Sequence, residues 1–293
     1  MITDGHVHEF APFPIILDAL IETAKLLPFL FLAFWLMEYI EKKAGSKFIS
    51  ALSKTGKLTF AGPPLGGLLG ILPQCGFSVA AANLFAGRLI SVGTLVAVFL
   101  ATSDEAIPIL LANPSHIKDI WLLIVIKLII AVIFGIIIDL LMRKFDKRAE
   151  TADFEDFCHD CGCHEHGVLY SALKHTLNIT VFILILNLII GFIVGAVGEA
   201  NFFAFLESFG VFQPAAAALV GLIPNCAASV LITELYIEGG LSFGSAVAGL
   251  CSGAGVGILV LFRTNKDIKE NILIVGLLYV IGVVSGSLVN LIL

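Results

Sequence analysis

Nine consecutive residues, Cys-His-Asp-Cys-Gly-Cys-His-Glu-His at 158–166, hold three cysteines and three histidines. The Cys158-x-x-Cys161 and Cys161-x-Cys163 spacings allow two thiolates to chelate one ion, and His159, His164 and His166 supply imidazoles. Thiolate with imidazole favours zinc, Cu(I) or another soft-to-borderline ion. The run is too short to build a folded zinc domain. It reads as a flexible metal tether, and the acids before it (Asp146, Glu150, Asp153, Glu155, Asp156) raise the local cation concentration. His6-x-His8-Glu9 is a weaker version of the same chemistry.

Two further clusters lie inside apolar sequence. Pro73-Gln74-Cys75 recurs as Pro224-Asn225-Cys226. Proline has no N–H to donate, so the helix arm before it ends in carbonyls without intrahelical donors. Those carbonyls and the negative helix end suit a cation. Gln74 and Asn225 add amide oxygens, and Cys75 and Cys226 open the next arm, where a helix N-terminus supports a thiolate. A kink packed with a small thiol would explain one copy; two copies, amide included, favour a site. The other cluster is Thr102-Ser103-Asp104-Glu105. A charged acid at membrane depth costs about 2.5–3.5 kcal/mol on insertion scales, so such groups face a cavity, a counter-charge or an ion. Pro108, four residues on, is expected to free the Asp104 carbonyl, giving Asp104 and Glu105 a hard-cation ligand set. An ion pair with Lys127 is the plainer alternative.

Asp18, Glu22 and Lys25 share one face of the first apolar segment, and the corresponding face later in the chain reads Ser171, His175 and Asn178. Glu22 and His175 are expected to relay protons or complete a coordination shell, whereas Asp18 and Lys25 fit an interfacial salt bridge. Asn83, Asn187 and Glu234 are weaker candidates, because amides often join helices within a membrane.

These residues must be held by membrane helices. The 293 residues are 58% hydrophobic and 14% charged, with 17 Lys+Arg against 23 Asp+Glu. That excludes an ordinary soluble enzyme, a disordered chain and a nucleic-acid binder. Six stretches, 12–40, 89–112, 120–142, 169–198, 241–262 and 271–293, reach the roughly 20 apolar residues that a spanning helix needs. Two more, 58–87 and 211–237, are interrupted by Pro73 and Pro224. The polar start lacks Lys and Arg and has no small-residue cleavage site, so the first helix is expected to be retained. No Walker A, H-E-x-x-H or G-x-S-x-G signature is present. Neither an enzyme nor a required cofactor is expected.

Residues 70–97 align without a gap on 221–248, with ten of 28 pairs identical. A composition this biased would give about two or three by chance. The chain therefore reads as a first repeat (1–142), a His/Cys-rich linker (143–168) and a second repeat (169–293). Loop 41–57 carries five lysines while its counterpart 199–210 carries none, and loop 263–270 carries three basic residues against one in 113–119. By the positive-inside rule, equivalent loops face opposite sides, so the repeats are inverted. Both termini are then outside and the linker is cytoplasmic. Segment 58–87 must return to its starting side, with arms of about 15 and 12 residues reaching roughly 22 and 18 Å.

The expected fold is an all-α polytopic membrane protein of about ten helical segments. It comprises two inverted repeats, each with long spanning helices and a Pro-broken re-entrant or short-helix hairpin. The repeated Pro-[Gln/Asn]-Cys, the Thr-Ser-Asp-Glu segment and the His/Cys-rich loop between halves resemble the ten-span heavy-metal exporters, a family also described as arsenic-efflux-related or manganese transporters. The resemblance covers nearly the whole chain. It implies efflux of a metal ion across a bacterial or archaeal inner membrane. Two other classes fit the same residues: a permease for an organometalloid or thiol-reactive solute using Cys75 and Cys226, and a metal-sensing membrane subunit. The expected partners are a metal ion and the bilayer.

Overall fold

The computed structural model describes residues 57–72, 75–102, 106–113, 115, 117–142, 168–197, 206 and 209–293, with scattered positions between 16 and 35. Among them the chain is helical. The first unit contains α1 (Lys57–Gly70), α2 (Cys75–Ala86), α3 (Val92–Ala101), α4 (Ala106–Ala112) and α5 (Ile117–Met142). After α6 (Val168–Val197) the order repeats as α7 (Gln213–Gly221), α8 (Cys226–Ile237), α9 (Phe243–Ser252), α10 (Gly257–Thr264) and α11 (Ile268–Ile292). The starts of α2, α3, α4 and α5 each recur 151 residues later as the starts of α8, α9, α10 and α11. Pairings recur too: α3 packs on α1 and α5 as α9 packs on α7 and α11, and α2 meets α10 as α8 meets α4.

Glycines set how closely these helices approach. A Cβ on Gly93 would strike the Gly135 carbonyl and Asp139, and one on Gly135 would lie 2.7 Å from Pro63 Cβ and 2.9 Å from the Gly93 carbonyl. Their equivalents, Gly244 and Gly286, bring α9 and α11 together in the same way. Backbone approach through small residues is the usual means of joining helices in lipid, where burial against hydrocarbon gains nothing.

Contacts fix the direction of the hairpins. Along α1, Gly62 faces Thr94, Gly66 faces Thr94 and Val98, and Gly70 faces Val98 and Ala101, so α1 and α3 run side by side in one sense. Helix α2 must then carry the chain back to the level where α1 began. In the second unit, Gln213 at the start of α7 donates to the Gly240 carbonyl (2.8 Å) and accepts from Ser242 N–H (3.2 Å), which closes the base of the α7–α8 hairpin.

Each unit also breaks a helix that the sequence reads as one span. The 89–112 stretch stops at Ala101 and restarts at Ala106; the 241–262 stretch stops at Ser252 and restarts at Gly257. Thr102 leaves helical geometry at ψ 128° and Gly253 at ψ 102°. Gly255, at φ 52°, takes a backbone conformation that a side chain would strain. Taken across their breaks, 92–112 and 243–264 are still long and apolar enough to cross a membrane, as are 118–142 and 268–292. The broken pair are the interior: their most apolar stretches are 73% and 83% buried, against 28% and 39% for the other two.

Candidate functional site

The second hairpin shows what its proline does. Helix α7 ends at Gly221, and Leu222 and Ile223 turn back onto the carbonyls of Ala218, Leu219 and Val220. The Ser252 hydroxyl also donates to the Ala218 carbonyl, at 2.7 Å. The carbonyls expected to stand ready for a cation are therefore largely taken by local turns and by α9. Asn225 is engaged locally too: its side-chain oxygen accepts from Ala227 N–H at 3.1 Å and caps α8, which uses one of the two lone pairs of the amide oxygen that the sequence offered as a ligand. Cys226 follows as the first residue of α8 and is 1% exposed; Cys251 is a second buried cysteine.

Pro108 is expected from the sequence to free the Asp104 carbonyl, which lies outside the described residues. It falls in the first turn of α4, where its missing N–H would have had no intrahelical partner in any case. The helix ends because the backbone turns at Thr102, ahead of the proline.

The C-terminal ends of α3 and α9 come together on one side chain. Lys127, on α5 and 0% exposed, donates from Nζ to the Thr102 carbonyl and, at 2.6 Å, to the Leu250 carbonyl. Thr102 is the C-cap of α3, and Leu250 lies in the last turn of α9. A cation is thus held by carbonyls at two helix C-termini, one from each unit. The sequence reading treated Lys127 only as a partner for Asp104. What marks it in the sequence is a single lysine in the otherwise apolar run 120–138, opposite Leu278 in the second copy.

At the other ends of the same helices, Asp139 and Asn290 anchor the backbone. Asp139 accepts from Gly93 N–H at 2.8 Å and from the Ser91 hydroxyl at 2.7 Å; Asn290 accepts from Gly244 N–H at 2.9 Å. Asp139 is 4% exposed, and an acid this deep is stabilised by the N-terminal dipole of α3. The sequence reading missed it, although Asp139 and Asn290 stand 151 positions apart like the hairpin motifs.

The remaining candidates separate. Asn83 and Asn187 are buried, and neither side-chain amide has a hydrogen-bond partner among the described residues. Glu234 is exposed. Asn178 accepts from Arg263 at 3.2 Å, and the Arg263 guanidinium lies 4.3 Å above the Phe182 ring, joining α6 to α10. Cys75 starts α2 and His175 lies within α6. Asp18, Glu22, Lys25, Pro73, Gln74, Asp104, Glu105 and the 158–166 cluster lie outside the described residues. Among the described residues no three His, Cys, Asp or Glu side chains gather into a metal-holding group.

An all-helical body with several long apolar helices and its most broken backbone in the interior defines a polytopic membrane protein. A family model described as "Putative, 10TM heavy-metal exporter" matches residues 14–207 and 196–293, and the chain belongs to that family. No curated protein and no solved structure matches it.

Proposed function

We propose that the protein exports a divalent or heavy-metal ion, Mn²⁺ slightly preferred, through a site midway across the membrane between two inverted repeats. The observation that carries this reading is the paired interruption of the interior. Both hairpins and both central helices stop at equivalent positions, and the Gly221 end of one hairpin arm packs against Gly249 and Gly253 at a helix break. Irregular backbone within a membrane is tolerated where it is enclosed by protein or lines a cavity, and discontinuous helices are the recurrent frame of ion sites.

Inversion is supported by contacts between the units. Asp119, near the start of α5, accepts from the Tyr236 hydroxyl at 2.8 Å, beside the turn that leads into α9. About two turns further along α5, Lys127 reaches Leu250 near the end of α9. Helices α5 and α9 therefore run in one sense. Helix α3 is antiparallel to α5, with Gly93 against Asp139 and Thr102 against Lys127. The opposite senses of α3 and α9 agree with the loop charges.

In this reading Asp104 and Glu105 supply hard ligands at the α3–α4 break, and Gln74, Cys75 and Cys226 supply softer ones from the hairpin tips. Asn225 holds its tip in shape through the cap. Glu22 and His175 serve the pathway from the flanking helices. The amides of Asn83 and Asn187, without a hydrogen-bond partner among the described residues, support a polar interior, because leaving such groups buried and unsatisfied costs about 1–3 kcal/mol each. Manganese takes oxygen ligands and softer ions take thiolate. The protein sits in a bacterial or archaeal inner membrane with both termini outside. The 158–166 cluster (Cys158, His159, Cys161, Cys163, His164, His166) gathers metal at the cytoplasmic mouth, a placement that favours export.

Metal flux into proteoliposomes tests this. Asp104→Asn is expected to abolish Mn²⁺ flux, while Cys75→Ser changes only the order of preference among Mn, Zn, Co and Cd. The reverse result, with Cys75→Ser inactive and Asp104→Asn active, would instead identify an organometalloid permease. Metal binding at 158–166 with no flux of any solute would identify a sensor.

A further inference from the structure

We propose that Lys127 is a tethered cation standing in the position where the transported metal binds, so that metal enters only as the ammonium withdraws. The inference rests on the transport reading above and adds to it the residue that controls occupancy.

A helix leaves its last four carbonyls without intrahelical donors, and its C-terminus carries roughly half a negative charge. In α3 and α9 the first of these carbonyls is satisfied internally. Thr102 N–H and hydroxyl both donate to the Val98 carbonyl (3.0 and 2.7 Å). Gly253 N–H and the Ser252 hydroxyl both donate to the equivalent Gly249 carbonyl (3.0 and 2.9 Å). The Thr102 and Leu250 carbonyls, at the two converging ends, are taken by Lys127. Two negative helix ends meeting in a buried interior call for a positive charge, and the protein supplies one from its own chain. Carbonyl oxygens at such a place also suit a metal cation. The ammonium and a metal ion would share these donors and repel each other at contact distance, so the two exclude one another.

The repeat makes the idea testable. Shifting Lys127, Thr102 and Leu250 by the 151-residue offset, in the appropriate direction for each, gives Leu278, Gly253 and Phe99. Leu278 is fully buried, and α11 packs on α3 as α5 packs on α9. A lysine at 278 would therefore offer its ammonium to the same convergence from the opposite helix.

The background for the experiment is the full chain with Cys158, Cys161 and Cys163 changed to Ser and His159, His164 and His166 to Asn, which removes linker binding. Equilibrium dialysis with Mn²⁺ and, separately, Cd²⁺ is run on this protein, on K127M and on K127L/L278K, alongside flux in liposomes. K127M is expected to bind at least one of the two ions ten-fold or more tighter and to lose regulated flux. K127L/L278K is expected to return binding and flux toward the background. Folded K127M whose affinity for both ions is unchanged or weaker overturns the proposal. If K127M does not fold, K127L/L278K decides. Recovery of the background affinity supports the proposal, and failure to fold or to recover assigns Lys127 a purely structural role. Unaltered protein that moves neither ion removes the transport reading while leaving the binding comparison to judge Lys127.

Discussion

Asp139 and Asn290 stand 151 residues apart, and each accepts from the backbone N–H of an equivalent glycine, Gly93 or Gly244, at 2.8 and 2.9 Å. One copy performs the task with a charge and the other with a neutral amide of the same shape. Asp139→Asn should therefore fold, losing about 1 kcal/mol for a charge-assisted bond exchanged for a neutral one. Asp139→Leu leaves the Gly93 N–H and the Ser91 hydroxyl without this acceptor and should cost about 2–4 kcal/mol. Thermal unfolding of purified protein in detergent measures both, and equal losses for the two variants would argue against the anchoring role.

The glycine seam gives a second prediction. A Cβ on Gly70 would sit 2.6 Å from the Val98 carbonyl oxygen and 2.8 Å from Ala101 Cβ, so Gly70→Ala must push α1 away from α3. Gly276 has nothing within 4 Å of its hypothetical Cβ. Gly276→Ala should be neutral or stabilising by up to about 1 kcal/mol, the helix propensity difference. Monodisperse yield after heating should fall for Gly70→Ala and hold for Gly276→Ala.

Tyr236 and Asp119 join the two units, α8 to α5, through one hydrogen bond of 2.8 Å. Tyr236→Phe and Asp119→Asn, taken singly and together in a double-mutant cycle, should show a coupling of about 1 kcal/mol in melting free energy. Strict additivity would mean that the bond does not contribute to holding the units together.

Membrane orientation is checked by single cysteines at positions 45 and 205 in a cysteine-free background. Gly45→Cys should react with an impermeant thiol reagent only from the cytoplasmic side, and Phe205→Cys only from outside. Reaction from the same side would remove the inversion, and with it the proposed path between the repeats.

The sequence disclosed the hairpins because two prolines at a fixed offset interrupt otherwise apolar runs, and the helix ends at Gly70 and Gly221 follow from them. Family membership was legible from the same motifs with the His/Cys cluster. The breaks in the central helices were less visible. Gly253-Ala-Gly-Val-Gly257 signals flexibility, but Thr102-Ser-Asp-Glu105 has no glycine or proline, and its chemistry drew attention away from its backbone. Asn225 carries two readings in the sequence, because an Asn before a helix is both a metal-capable amide and a good N-cap, and the Ala227 N–H shows the cap. The meeting of Lys127 with Leu250 spans 123 positions and depends on how the two units dock, which no local pattern encodes.

The glycine contacts carry a mechanical consequence. With Gly93 on Gly135 and Gly244 on Gly286, α3 with α5 and α9 with α11 touch backbone to backbone. Neither pair can slide internally without colliding, so each behaves as a stiff oar. Any stroke that opens the molecule to one side must be taken up where the oars cross or in the short hairpins beside them. A ligand or inhibitor that wedges a hairpin base, at Gln213 and Gly240 for instance, would jam the stroke without ever touching the cargo.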